Sequence, residues 1–203
     1  MTKPTASGDP ERPEWVGTLT AALRALGPPR TEQTSTLRKA AVLVLLTGGP
    51  NGVQVLLTER AHNLRRYPGQ MVLPGGKNEE IDANLTDTAL RESREEVGLD
   101  QASADILGSL SPFVDPDKTS TVTPVLAWSA CPKFPGTVDA AEVAAIHQLP
   151  IRDLPAAGGS EQPPADSAEV ISKLGKMTAD ILDAVVALLK ALNGNNAKDI
   201  HPN

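Results

Sequence analysis

One stretch of the chain, residues 75–99, constrains the fold and the chemistry most strongly. It opens on two glycines, crosses an acidic loop and continues as a predicted helix that ends at a further glycine. Glu92 lies three and four positions before Glu95 and Glu96, so the three carboxylates share one helical face and repel one another. One interpretation is a solvated face, on which Arg91 and Glu95 form an i,i+4 pair worth roughly 0.3 kcal/mol. The other is a metal site, because a bound divalent cation would remove the repulsion.

The surroundings of this helix favour the metal site. The glycine pair, Gly75 and Gly76, precedes a loop that carries Glu79, Glu80 and Asp82. Oxygen-rich clusters of this kind hold Mg²⁺ or Mn²⁺, which are hard cations that prefer carboxylates, carbonyl oxygens and water. The pattern therefore predicts a divalent-metal site at the glycine turn and the helix that follows it.

The same stretch resembles the Nudix box, in which a glycine, five residues, a glutamate and seven residues precede Arg-Glu-U-x-Glu-Glu-x-Gly-U, with U aliphatic. Gly76 matches the opening glycine, and the second half is matched in register by Arg91, Glu92, Glu95, Glu96, Gly98 and Leu99. Asp82 replaces the first glutamate, eight residues separate it from Arg91, and Ser93 occupies an aliphatic position. The aspartate and the extra residue resemble the coenzyme A diphosphatase branch of the Nudix family.

A second motif, directly upstream, resembles the signature of the same branch. Its LLTxR, leucine, GQ and PGG elements are matched by Leu57, Thr58, Arg60, Leu64, Gly69, Gln70, Pro74, Gly75 and Gly76. Tyr67 replaces a histidine of that signature, and Leu73 replaces a phenylalanine. The segment order up to residue 154 is also similar, and it makes Glu142 an additional acid that could approach the metals from outside the box. The alternative for Glu142 is a solvated residue at the start of a strand.

The resemblance implies an α/β fold of the α+β type, a Nudix α/β/α sandwich with a mixed β-sheet, and a metal-dependent hydrolase. It implies cleavage of coenzyme A or a derivative to adenosine 3′,5′-bisphosphate and 4′-phosphopantetheine, with Mg²⁺ or Mn²⁺ as cofactor. The implied metal-binding residues are Glu92, Glu95, Glu96, Gly75 and Gly76, and the implied catalytic residues are Arg91, Glu92 and Glu95. Arg91 would orient the carboxylate of Glu95, and the identity of the general base stays open among the glutamates.

A basic loop ahead of the box supplies candidate substrate-binding residues. Arg60, Arg65 and Arg66 lie close together in sequence, followed by Gln70. Arginine suits phosphate because its planar guanidinium donates paired hydrogen bonds. We expect these four residues to bind the substrate, and the arginines to meet the 3′-phosphate of a coenzyme A type substrate. The alternative is a solvated loop, and His62 is interpreted as an incidental loop residue.

Composition narrows the remaining possibilities. The chain has 203 residues, enough for one domain with extensions, and its formal net charge of −6 gives no support to nucleic-acid binding. The sequence contains no basic-then-apolar leader and no apolar run near the ~20 residues that cross a bilayer, so we expect a soluble, cytoplasmic protein with no membrane partner. The single Cys131 excludes an internal disulfide, and its neighbours predict a buried, inert thiol rather than a reactive one.

Hydrophobic periodicity and turn residues predict the organisation of the chain. A disordered tail (1–14) precedes the Nudix domain (15–154, with a docking helix over 15–26), a Pro/Gly linker (155–166) and a C-terminal helix with a polar tail (167–203). Strands are predicted at 39–47, 53–58, 71–74, 106–114, 121–129 and 143–149, with the box helix at 84–97 capped by Asp82 or Asn84. The last helix, 167–192, either closes the core or packs on a second copy, which makes a homodimer possible.

The family resemblance ends near residue 154, because the further strand and the Trp-Gly segment that usually follow are not evident. Two alternatives to a coenzyme A diphosphatase therefore stay open. One is a Nudix hydrolase of another nucleoside diphosphate derivative. The other is a catalytically inactive Nudix-fold protein that binds a partner through its last helix.

Overall fold

Within the described residues, 12–27, 36–50, 52–136, 138–157 and 163–192 of a computed structural model, an eight-stranded mixed sheet forms the centre. The two apolar runs of the sequence become its long central strands, β1 (Arg38–Gly49) and β2 (Gly52–Arg60), which form an antiparallel hairpin. The other strands are β3 (Met71–Val72), β4 (Gly75–Lys77), β5 (Asp105–Ser109), β6 (Phe113–Val114), β7 (Ser120–Ser129) and β8 (Val143–Pro150). The helices are α1 (Glu14–Leu26), α2 (Leu85–Val97), α3 (Ala165–Ser172) and α4 (Lys176–Leu192).

The strand order places the glycine turn of the box against the middle of the sheet. The order is β3-β2-β1-β7-β5, while β4 pairs with β1, β6 with β7 and β8 with β2. β1 and β7 run parallel, and the other pairings are antiparallel. In the pairing of β4 with β1, Gly75 lies opposite Val42 and Gly76 opposite Ala41. The box therefore starts from a short strand, β4, that is paired with the buried central strand β1.

Alternation along β1 divides the core into two layers. Ala41 and Leu43 pack with residues of α2 on one face of the sheet. Val42 and Val44 pack on the other face with residues of α1, α3 and α4. Successive residues of a strand point to opposite faces, so one apolar run serves both layers. This arrangement confirms the predicted α/β/α sandwich with a mixed sheet.

The prediction of one continuous helix over 167–192 is wrong. Two helices, α3 and α4, occupy this region and are separated by residues 173–175. Met71 of β3 donates its N–H to the carbonyl of Lys173 (2.9 Å), and Gly175 donates to the carbonyl of Met71 (3.1 Å). Leu174 thereby forms a parallel bridge with Met71. Backbone groups that a continuous helix would use internally are instead paired with the sheet edge.

Other boundaries shift by smaller amounts. The predicted strand at 106–114 is divided into β5 and β6, and the strand predicted at 71–74 ends at Val72. Residues 155–157 of the predicted linker form a short 3₁₀ turn, whose Ala156 carbonyl accepts a hydrogen bond from Lys190 of α4. Cys131 is exposed, so the prediction of a buried thiol is wrong. Cys131 follows the end of β7, at a position where the chain has left the core.

Several predictions fall outside the described residues. These are most of the disordered tail (1–11), the middle of the linker (158–162) and the polar tail (193–203). The last residue assigned to the N-terminal tail, Glu14, is the first residue of α1. In the part of the chain that the structure describes, no helix has the length and apolar character that a membrane span requires.

Candidate active site

Interactions at both ends of α2 position the glutamates of the box. The Asn84 side chain accepts hydrogen bonds from the backbone N–H groups of Thr86 (2.8 Å) and Asp87 (3.1 Å), which caps the helix. Gly98 ends the helix with a left-handed φ of 70°, a conformation that glycine adopts without strain. The predicted box helix is confirmed, with Asn84 as its cap.

Arg91 connects the acidic loop to α2, and its side chain is only 8% exposed. The guanidinium donates two hydrogen bonds to Asp82 (2.9 and 3.0 Å) and one to the carbonyl of Lys77 (2.9 Å). Two further carboxylates lie beside it, Glu92 at 3.0 Å and Glu95 at 3.1 Å. The hydrogen bonding to Asp82 is the main cause that raises the pKa of Arg91 above its ordinary value. Arg91 is therefore permanently charged and held from several directions.

Asp82 anchors the acidic loop, and its side chain is 2% exposed. Besides Arg91, it accepts hydrogen bonds from the backbone N–H of Glu79 (3.0 Å) and the hydroxyl of Thr88 (2.9 Å). The hydrogen bonds from Arg91 hold the pKa of Asp82 well below its usual range, although burial acts in the opposite direction. All these contacts lie inside the box, so Asp82 shapes the loop and does not cap α2.

Glu92 lies against the glycine turn. A Cβ atom on Gly76 would lie 2.5 Å from the carboxyl carbon of Glu92, so a side chain at that position would displace the carboxylate. Burial raises the pKa of Glu92 above its ordinary value, and the charges of Glu95 and Glu142 act in the same direction. Arg91 acts in the opposite direction. Glu92 thus approaches the backbone of the turn closely while it stays beside several other acids.

Glu96 points at the same turn and is 9% exposed. Its Oε2 accepts a hydrogen bond from the N–H of Gly75 at 3.1 Å. Burial raises the pKa of Glu96 to about 8, and the charges of Glu92 and Glu142 contribute, whereas the Gly75 N–H and Arg60 act against the rise. In the absence of a cation, Glu96 therefore holds its proton at neutral pH.

The donor set fits a divalent cation of the Mg²⁺ type. Glu95 and Glu142 act electrostatically on Glu92, and Glu92 and Glu142 act on Glu96, so the four acids share one electrostatic environment. Carboxylate and carbonyl oxygens are the ligands that such cations prefer. Among the described residues, no three His, Cys, Asp or Glu side chains already converge at metal-ligand spacing. Glu92 and Glu95 face Arg91, so metal binding requires these carboxylates to turn.

A cavity of about 350 Å³ opens beside the glycine turn. It is lined by two of the predicted substrate-binding residues, Arg60 and Gln70, and by Gly75, whose N–H contacts Glu96. Its size lies in the range of small-molecule sites, which is roughly 300–1,000 Å³. Gly75 therefore both lines the cavity and binds Glu96 of the box.

The other two predicted arginines lie elsewhere. Arg65 is exposed and does not line the cavity. Arg66 forms an ion pair with Asp117, and its guanidinium carbon lies 5.7 Å from the centre of the Tyr67 ring. Tyr67 itself lines the cavity and has a positive φ of 55°, which is uncommon for a residue with a side chain. The structure thus brings Arg60 and Gln70 together at the cavity and places Arg65 and Arg66 outside it.

Glu142 lies in the turn directly before β8, close enough to the box to act electrostatically on its glutamates. Its residue is exposed, and its carbonyl accepts a hydrogen bond from the N–H of Ala61 (2.8 Å), directly after Arg60. The charge of Glu142 raises the pKa values of both Glu92 and Glu96. Glu142 is therefore an exposed residue just ahead of β8 that takes part in the same electrostatic environment.

No sequence motif marked the residues that the start of α4 contributes to the cavity. The cavity is lined there by Lys176, Met177 and Thr178, none of which was assigned a functional role from the sequence. The local signal was Gly175, because glycine in the middle of a predicted helix lowers the expectation of helix by about 1 kcal/mol. That signal marks the break that brings α4 to the cavity.

A family model described as the NUDIX domain matches residues 37–168. The protein named "Uncharacterized Nudix hydrolase NudL" from Salmonella typhimurium is 37% identical over 126 residues, which cover 62% of this chain and 64% of that protein. The protein of the same name from Salmonella typhi gives the same figures. This chain therefore spans about 64% of the length of the curated relatives that it matches.

Solved structures share the fold at lower identity. The crystal structure of the M. smegmatis Nudix hydrolase RenU has a TM-score of 0.56 and 18% identity, covering 76% of this chain and 87% of that chain. The crystal structure of a C. elegans Ap4A hydrolase binary complex has a TM-score of 0.53 and 18% identity, covering 76% and 99%. The domain match takes in well over half of the 203 residues, together with the box motif and this fold. The chain belongs to the Nudix family.

Proposed function

We propose that this chain is a Mg²⁺- or Mn²⁺-dependent hydrolase that cleaves the diphosphate bond of coenzyme A or a derivative. The products would be adenosine 3′,5′-bisphosphate and 4′-phosphopantetheine. The observation that carries the proposal is the placement of Glu92 and Glu96 against the glycine turn, beside a cavity lined by Arg60 and Gly75. The name Nudix hydrolase carried by the Salmonella relatives supports the same reaction class.

The carboxylates of α2 would bind the metal. A divalent cation bound to a diphosphate neutralises charge on the phosphate oxygens and lowers the pKa of coordinated water. Glu92 and Glu96 are the principal candidates to hold it, because both lie at the glycine turn and both have raised pKa values. Glu96 must lose its proton to do so, and the carbonyl of Gly75 or Gly76 is a further oxygen donor in the same turn.

Glu95 differs from its neighbours because its side chain is 50% exposed and accepts a hydrogen bond from Arg91 at 3.1 Å. An exposed carboxylate held in one orientation can accept a proton from an attacking water or complete the metal site. Arg91 would set this orientation, since its other contacts keep the guanidinium in place. Both roles for Glu95 stay open, and Glu92 is the other candidate base.

Arg60 is a candidate cation for the phosphates of the substrate. Arg60 lines the cavity, and its charge lowers the pKa of Glu96, so it interacts with the box as well as with the cavity. A guanidinium there would offset the charge of a phosphate group and orient it by hydrogen bonds. Gln70 lines the same cavity and offers an uncharged donor and acceptor.

A second candidate is hydrolysis of another nucleoside diphosphate derivative. Tyr67, which stands where the coenzyme A branch signature has a histidine, lines the cavity itself. A change of side chain at the cavity wall alters which organic group fits there. This candidate keeps the metal site and the reaction and changes only the substrate.

The test is product analysis with coenzyme A, ADP-ribose and a nucleoside triphosphate, each with Mg²⁺ and with Mn²⁺. Wild type is compared with Glu96→Gln, which cannot supply an anionic ligand. The control is Glu80→Gln, which removes an exposed acid from the loop that precedes α2. We expect wild type and Glu80→Gln to release adenosine 3′,5′-bisphosphate from coenzyme A, and Glu96→Gln to lose the activity.

Each alternative has its own outcome in this experiment. Turnover of another substrate alone, still lost in Glu96→Gln, would keep the hydrolase and reject the coenzyme A assignment. No turnover of any substrate, with thermal stability unaffected by either metal in all three proteins, would leave the inactive binding protein as the explanation.

A further inference from the structure

The cavity beside the glycine turn has a wall that no motif of the sequence predicted. Met177 and Thr178 belong to the first turn of α4, and Lys176 is the first residue of that helix. Val72 and Leu73 supply apolar surface on the side of the sheet. The wall formed by residues 175–178, which we call the α4 wall, therefore faces the turn that carries the box.

Backbone hydrogen bonds hold the α4 wall in place. Met71 both donates to the carbonyl of Lys173 (2.9 Å) and accepts from the N–H of Gly175 (3.1 Å), which docks the segment on β3. A Cβ atom on Gly175 would lie 2.9 Å from Oε1 of Gln70, another cavity residue. Because the wall is tied to the strand that leads into the glycine turn, its distance from the box is set by the sheet.

A buried carboxylate reinforces this attachment from behind. Glu59 of β2 is 9% exposed and faces Lys173 at 3.6 Å, with the imidazoles of His62 at 3.5 Å and His147 at 3.4 Å. Lys173 also pairs with Glu169 one turn earlier, at 2.8 Å. The first residue of the α3–α4 break is thus held by charge as well as by the backbone.

The chemistry of the lining selects among ligands. Basic residues, Arg60 and Lys176, lie on two different elements, and no acidic residue of the described chain lines the cavity. The remaining surface is largely apolar, with the Tyr67 ring and the Met177 side chain among its members. Such a lining suits a ligand with a flat, weakly polar ring and more than one negative charge.

Resting on the proposed function, we propose that the α4 wall, with Met177 as its contact residue and Lys176 at its rim, is the subsite for the adenosine 3′,5′-bisphosphate half of the substrate. The purine packs on Met177 and Tyr67, and the phosphates on the ribose lie toward Arg60 and Lys176. The pantetheine half matches this lining less well, because it carries a single phosphate and no ring to pack on Tyr67. Lys176 pairs with Asp180 in the free protein (2.9 Å), and this exposed contact is easily exchanged for a phosphate.

The test measures binding directly, by titration calorimetry in the absence of metal, with adenosine 3′,5′-bisphosphate and 4′-phosphopantetheine as separate probes. Met177→Glu places a negative charge in the cavity and should weaken binding of the bisphosphate about tenfold or more. Met177→Leu conserves volume and should stay within about threefold of wild type. Lys176→Gln should weaken binding about two- to fivefold and reduce its dependence on salt, whereas the exposed Lys133→Gln should match wild type.

Two results would overturn the subsite. One is unchanged bisphosphate affinity in Met177→Glu whose unfolding midpoint matches wild type. The other is a loss of affinity for 4′-phosphopantetheine in place of the bisphosphate. Coenzyme A turnover by the same wild-type preparation separates this question from the reaction. Turnover with unchanged binding in Met177→Glu rejects the subsite alone, and absence of turnover rejects the proposed function while the binding data still decide the subsite.

Discussion

Replacement of Asp82 by asparagine tests whether the acidic loop of the box is held by charge. The carboxylate is nearly buried and receives hydrogen bonds from Arg91, Glu79 and Thr88. Asparagine keeps the volume and can still accept some of these bonds, but it removes the negative charge opposite the guanidinium. The exposed Glu80→Gln in the same loop removes the same charge without a buried partner and serves as the control.

The expected loss of unfolding free energy depends on the interactions that Arg91 keeps after the substitution. Removal of one partner from a buried ion pair costs about 3–5 kcal/mol. Arg91 retains Glu92 at 3.0 Å, Glu95 at 3.1 Å and the carbonyl of Lys77, so we expect the lower end of this range. A loss of about 3 kcal/mol, with an m-value of about 2 kcal/mol per molar urea, lowers the unfolding midpoint by about 1.5 M.

The pH dependence provides an independent check of the same reasoning. The folded-state pKa of Asp82 lies below that of the unfolded chain, so at acidic pH the unfolded state binds the proton first. The stabilisation is complete at neutral pH and falls as the pH drops below about 4, the ordinary value for aspartate. The difference in unfolding free energy between wild type and Asp82→Asn should therefore shrink between pH 5 and pH 2.5.

The measurement is urea unfolding of wild type, Asp82→Asn and Glu80→Gln, followed by far-UV circular dichroism at several pH values. A midpoint for Asp82→Asn within about 0.5 M of Glu80→Gln would refute the account of the loop, because it corresponds to only about 1 kcal/mol. So would a difference from wild type that stays constant down to pH 2.5.

Three further predictions concern the metal, the glycine turn and the wall of the cavity. Because Glu96 holds a proton in the folded state that the unfolded chain releases, the metal-free protein should lose stability as pH rises from about 5 to 8. Mg²⁺ should raise the melting temperature more at pH 8 than at pH 6, and Glu96→Gln should flatten both trends in calorimetric scans. Gly76→Ala should displace Glu92 and weaken the stabilisation by Mg²⁺, with only a modest change in metal-free stability; equal Mg²⁺ responses in thermal scans would contradict this. Glu59→Gln should lower the unfolding free energy by about 1–3 kcal/mol through loss of the charge that faces Lys173, and should weaken adenosine 3′,5′-bisphosphate binding in calorimetry while the Mg²⁺ response persists.

Local chemistry explains which parts of the fold were predictable. The β1–β2 hairpin has apolar runs on both sides of a glycine-rich turn, and α2 has a capping asparagine and a terminal glycine, so both elements carry their own boundaries. The position of Arg60 and Gln70 at the cavity follows from a motif that adjoins the box. These features depend on residues that are close in sequence, so they can be predicted from sequence patterns.

The break between α3 and α4 depends on a partner far away in the chain. Ile171, Leu174 and Thr178 keep the spacing of one helical face across the break, so the hydrophobic pattern predicts continuity. The competing hydrogen bonds come from Met71, about a hundred residues earlier, and only Gly175 hints at them locally. The lining residues of α4 were missed for the same reason. The role of Asp82 was also hidden, because its contacts with Arg91 appear only when the loop folds back on the helix.

The short segment 71–77 links the two halves of the candidate site. At its start, Met71 exchanges backbone hydrogen bonds with the α3–α4 break and so places the α4 wall. In its middle, the N–H of Gly75 binds Glu96, and at its end the carbonyl of Lys77 binds Arg91. Because β4 is also paired with the buried strand β1, the three attachment points have fixed positions relative to one another. The carboxylates that would bind the metal and the wall that would bind the nucleotide are therefore aligned by one piece of backbone, even though more than seventy residues of sequence separate them.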